Sequence, residues 1–144
     1  MVQNMTMTCP PGWRDTSMLI LRAEAAGASG IAANLVVTRD VLPPDLPTAP
    51  AERMTALIDR QVAEMKPRLA GFAEVSRQVS GTVPPLVGEI RIDWTSGQSD
   101  LRQGLTLVDN GDGNLLIATA TAARGEYPAH EPQFAAMLQT FKLV

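Results

Sequence analysis

The sequence predicts a single α+β domain, with an antiparallel sheet of about six or seven strands and two flanking helices. Three observations carry this. The spacing of apolar residues switches between strict alternation and the three-and-four spacing of a helix. Turn chemistry separates consecutive alternating runs, which favours hairpins and therefore antiparallel pairing. At 144 residues, 45% hydrophobic and 19% charged, the chain has the size of one domain and the composition to bury a core.

Taken in order, residues 5–9 read as a short edge strand, ended by Pro10-Pro11-Gly12. A strand is expected over 16–23, with Met18 and Ile20 on one side and Leu19 and Leu21 on the other. Apolar residues on both sides imply that both faces are covered. The small, Gly-rich stretch 24–32 is a loop, and a further strand covers 33–40. Residues 41–50 contain Pro43, Pro44, Pro47 and Pro50, so they form an extended loop.

The first helix is expected over 51–69. Met54, Leu57, Ile58, Gln61, Val62, Met65 and Leu69 follow helical spacing. Pro50 suits the helix entry, and Glu52 in the first turn favours the dipole. Pro67 should end or kink the helix near Met65 or Lys66. Strand 72–80 alternates Ala73, Val75, Arg77 and Val79 against Phe72, Glu74, Ser76 and Gln78. Strand 86–94 sets Leu86, Ile90, Ile92 and Trp94 against Val87, Glu89, Arg91 and Asp93. A turn at 95–98, a strand over 100–108, an Asn-Gly and Asp-Gly turn at 109–114 and a strand over 115–122 complete the hairpins. The last helix is expected over 131–142, on the spacing of Phe134, Met137, Leu138 and Phe141.

Composition narrows function by exclusion. Net charge is −3 and the pI about 5.1, which weighs against nucleic acid or an anionic membrane surface as partner. The N-terminus shows no basic stretch followed by an apolar one, and no run approaches the ~18 residues of a membrane span. The expectation is a soluble, cytoplasmic protein. Cys9 is the one cysteine. It cannot form an intrachain disulfide and reads as a small buried hydrophobe. Seven methionines against 4% aromatics make the apolar mass flexible and adaptable.

Catalytic chemistry finds little support. His130, the one histidine, lies between Pro128 and Pro132 without an identifiable partner. The stretch 109–114 lacks the ligand spacing of a calcium loop. The expectation is therefore no catalytic, cofactor or metal site, and no enzyme. Arg39, Asp40 and Arg60 could form an ion-pair network or simply be solvated. Gln61 and Gln103 stand out. Each carries an amide among apolar neighbours, and a buried amide left unpaired costs roughly 1–3 kcal/mol. Each either satisfies its own fold or waits for a partner's backbone, for which glutamine has both donors and an acceptor.

Six short strings also occur in one order: PGWRD at 11–15, NLVVTRD at 34–40, IDRQ at 58–61, AGF at 70–72, LRQ at 101–103 and LIATATA at 116–122. Together they resemble the DcrB-like family and, within it, the effector-associated (Eag) chaperones of the bacterial type VI secretion system. The resemblance spans about residues 9–143. It implies a Mog1/PsbP-like fold and a homodimer whose concave sheet faces grip a client. The client would be the hydrophobic N-terminal transmembrane helices of an Rhs- or PAAR-type effector, shielded before export. Carried over residue by residue, the client-binding positions fall on Met18, Ile20, Val36, Gln61, Leu69 and Gln103. The proline-rich loop at 41–50, Pro67 just before Leu69, and Ser99 depart from the family pattern and bear on groove shape. Two other classes compete: an envelope-associated binding module like DcrB or PsbP, and a small enzyme using His130 or carboxylates.

Overall fold

The structure is a computed structural model and describes residues 7–141. Its elements are β1 (Leu19–Arg22), β2 (Asn34–Val41), α1 (Pro50–Met65), β3 (Ala73–Ser80), β4 (Leu86–Ser96), β5 (Ser99–Asp109), β6 (Asn114–Ala123) and α2 (Tyr127–Thr140). The strands form one six-stranded sheet in the order β1-β2-β6-β5-β4-β3, and every neighbouring pair is antiparallel. β3 to β6 are a meander built on tight turns. β2 pairs with β6 on its far side, so α1 must carry the chain across the sheet from β2 to the opposite edge at β3.

The two helices lie on opposite faces, as register and core contacts show. Directly paired residues of an antiparallel sheet share a face. One row therefore runs Ile20–Val36–Thr119–Leu105–Ile90–Arg77. Leu105 and Ile90 in this row belong to the core cluster with Met54, Leu57, Ile58 and Met65 of α1. The alternate residues, including Leu35, Val37, Ala118 and Ala120, form a second cluster with Tyr127 and Phe134 of α2. Each helix covers only part of its face. α1 lies over β3, β4 and β5 and reaches Leu115 and Ile117 at the start of β6. α2 lies over β6, β2 and β1 and reaches Gly104 of β5 through Tyr127.

Several expectations need correction. Residues 7–9 are irregular rather than a strand; residues 5 and 6 lie outside the described residues. The two faces of β1 are not both covered, since Ile20 is 52% exposed. The alternation expected through β3 is broken by a bulge between Glu74 and Ser76. That bulge turns Glu74, Arg77 and Val79 to the same face. The first helix stops at Met65, where Pro67 predicts its end, so Leu69 lies in the turn beyond it. α2 begins at Tyr127, a turn earlier than expected, with Pro128 at its start and Pro132 tolerated inside. Its expected last residue, 142, lies outside the described residues.

Candidate functional site

Where α1 ends its cover, the α1 face is open over β1, β2 and the part of β6 beyond Ile117. The floor there is built from neighbouring cross-strand rows. Ile20 pairs directly with Val36, and Val36 with Thr119. One row along, Arg22 pairs with Asn34, Asn34 with Thr121, and Thr121 with Gln103. On the other side Thr38 pairs with Ile117. Val36, Thr38, Asn34, Thr119, Thr121, Ile117 and Gln103 are each half-buried. The result is an aliphatic strip beside a strip of hydroxyls and amides, bordered by α1.

Of the six residues expected from sequence, Ile20 and Val36 are in direct contact register. Met18, two residues before Ile20, precedes β1 and is 54% exposed. Gln103 lies one row along on the same face. Its amide is already engaged within the fold: Trp94 Nε1 donates to Gln103 Oε1 at 3.0 Å, and Gln103 Nε2 donates to Thr121 Oγ1 at 2.8 Å. The partners are side chains, not backbone. One amide N–H and one carbonyl lone pair remain for a partner. Gln61 occupies the sheet-facing stripe of α1 between buried Leu57 and buried Met65, yet is itself only half-buried. Leu69 is half-buried beyond the helix and packs on the α1 core with Phe72 and Trp94.

Sequence reasoning missed Trp94, Asn34, Thr119 and Thr121 as members of this surface. The threonines were visible in the alternating ATATA of residues 118–122, which sets them on the face opposite the buried alanines.

Arg22 belongs to this floor, but the ion pairs lie elsewhere. Arg53 Nε meets the fully buried Asp109 at 2.8 Å, closing the start of α1 onto the end of β5. Arg60 bonds Asp45 rather than Asp40, tying α1 to the proline-rich loop. On the α2 face Arg102 binds Asp93 at 2.7 Å and 3.0 Å. These hydrogen bonds hold the Asp93 carboxyl below the usual carboxylate range. Burial pushes the Tyr127 phenol up. His130 rests against Phe134, its Nδ1 3.1 Å from Gln133. Cys9 is exposed, contrary to expectation. Among the described residues no group of His, Cys, Asp and Glu could hold a metal ion, and no helix is long and apolar enough to cross a membrane. The arrangement offers surface and hydrogen bonds, which suits binding.

A DcrB family model matches residues 5–140, nearly the whole described chain. The chain belongs to the DcrB family. Solved structures agree on the fold of this DcrB-family domain. The crystal structure of a Pseudomonas aeruginosa protein of unknown function, PA94, superposes with a TM-score of 0.78 at 22% identity, covering 100% of this chain and 94% of that one. The solution structure of the cyanobacterial PsbP protein of Synechocystis gives 0.57 at 11% identity, covering 88% and 82%. The DcrB-family fold here is thus PsbP/Mog1-like. No curated protein matches the chain.

Proposed function

We propose that this DcrB-family protein is an Eag-type chaperone of a type VI secretion system. It binds the apolar N-terminal helices of an Rhs- or PAAR-type effector in the cytoplasm and shields them until export, acting as a homodimer without cofactor or catalysis. One observation carries the reading: the paired side chains Ile20 and Val36 form an aliphatic strip on a sheet face that α1 leaves uncovered. Aliphatic side chains on an uncovered sheet face in water favour a partner. Fully burying an exposed side chain of this kind is worth roughly 1.5–3 kcal/mol, and covering Ile20, 52% exposed, about half of that.

The neighbouring polar strip supports the same class of client. A membrane span needs ~20 apolar residues. In water such a segment must be kept from aggregating. Threonine and glutamine side chains can bond its polar or backbone atoms, as polar side chains do between membrane helices.

The test is co-expression of the tagged chain with the N-terminal segment of the effector encoded beside it, with and without its apolar helices. Capture that requires the helices supports the chaperone reading. Absence of capture, or capture of the segment lacking them, would leave only a generic DcrB-family binding module.

A further inference from the structure

The PGWRD string at 11–15 is a sequence motif that neither the open sheet face nor the helix-packed cores absorb. It lies in the arm of residues 7–18 that leads into β1. The arm is locally ordered by its own hydrogen bonds. Trp13 N donates to Pro10 O at 3.2 Å. Gly12, at φ +86°, takes the left-handed position that such a Pro-Gly turn requires. Asp15 Oδ1 accepts from Ser17 N at 2.8 Å, and Ser17 Oγ donates to the same oxygen. Two turns thus fix the backbone on either side of Trp13.

What they present is apolar. Trp13 is 77% exposed and Met7 96%. With Met18 and Ile20, these are four of the seven large hydrophobic side chains that are exposed among the described residues. The other three, Val41, Val75 and Val83, are the smallest of the seven and are scattered over β2, β3 and the β3–β4 turn. Exposed apolar surface is therefore concentrated in one stretch of fourteen residues, and that stretch runs directly into Ile20 of the open face. A tryptophan held out by a preformed turn loses little conformational freedom on docking and brings a large contact area. Residues of this kind dominate binding energies where they are found.

We propose that the 7–18 arm is part of the client-binding surface, with Trp13 as an anchor that packs on the apolar helix bound at Ile20 and Val36. The inference rests on the chaperone reading above and adds a residue to its client-binding surface. The occupant is the apolar helical segment itself. The arm is continuous with Met18 and Ile20, and its exposed side chains match that segment in character.

The experiment uses the full chain co-purified with the effector's N-terminal segment. Trp13→Ala should keep the circular dichroism spectrum and melting temperature of the parent, because the side chain is exposed. It should weaken capture by tenfold or more, with Trp13→Phe intermediate. In 5-fluorotryptophan-labelled protein, the Trp13 fluorine resonance, assigned with Trp13→Phe, should shift and lose solvent sensitivity in the complex. Retention of full capture by Trp13→Ala, with an unshifted Trp13 resonance, would overturn the proposal while Ile20→Asp still abolished capture. So would a Trp13→Ala variant that captured normally but no longer self-associated, since the arm would then serve a second copy of the chain. If capture proves indifferent to Ile20→Asp and to the client's apolar helices, the chaperone reading itself falls.

Discussion

Met54 Sδ lies 2.7 Å from the point that a Cβ on Gly88 would occupy. Met54 is fully buried, and Ile58 Cδ1 stands 3.0 Å from the same point. The missing side chain of Gly88 is therefore what lets α1 seat on β4. Gly104 plays the matching part on the other face, where the Tyr127 hydroxyl fills the space of its absent Cβ. Gly88→Ala should cost roughly 1–3 kcal/mol through overpacking, read as a lower midpoint in urea. Met54→Ala in the same chain should recover part of the helix seat, so the double variant should be more stable than the sum of the two single losses.

The Arg53–Asp109 pair should matter far more than its counterpart at Arg60. Asp109 is 0% exposed and also accepts from Gly111 N at 2.9 Å, so it fixes both the helix start and the β5–β6 turn. Arg53→Ala leaves a buried carboxylate without its cation, at a cost of about 3–5 kcal/mol. Arg60→Ala breaks an exposed, solvent-screened pair and should leave the midpoint nearly unchanged. Denaturant titrations of the two variants side by side check the ranking; equal losses would mean that Asp109 finds another partner.

The meander and α1 were legible because each strand alternates and each turn carries Asn-Gly, Asp-Gly or Ser-Gly chemistry. Position in the sheet was not. Leu19, Ile20 and Leu21 have the pattern of a strand covered on both faces. Only the strand order places β1 at the edge, beyond the reach of α1. Gln103 was recognisable as anomalous, but its partner Trp94 becomes visible only through the β4–β5 register. Asp109 and Arg53 stand 56 residues apart, and no local spacing announces them. The bulge in β3 was hidden for the same reason, since the hydrophobic pattern there continues through it.

Acid should weaken the fold through Asp93. Its folded carboxyl titrates below the ordinary 3.8, chiefly because Arg102 bonds it. A depressed carboxyl contributes stability that is fully present above its unfolded value and disappears as pH falls through the folded one. Stability should therefore be flat near neutrality and decline below about pH 4. Asp93→Asn should lower neutral stability by on the order of 1 kcal/mol and make the acid limb shallower. Melting temperatures measured from pH 7 down to pH 3 would show this; an unchanged acid limb would assign the loss to other carboxylates, such as Glu74 beside Arg77.

The two glutamines should separate when tested together. Gln103 is bonded to Trp94 and Thr121 within the fold, so Gln103→Ala leaves two polar groups without that partner. It should cost about 1 kcal/mol and also weaken client capture, because the remaining amide N–H is lost with it. Gln61 is half-buried on the sheet-facing stripe of α1, and the Trp94–Gln103–Thr121 bonds do not involve it. Gln61→Ala should leave the melting temperature unchanged or slightly raised, alanine being the better helix former, and still weaken capture. A glutamine that mattered only for folding would show the opposite: capture falling in strict proportion to stability. Measuring both quantities on both variants decides whether either amide is reserved for the client.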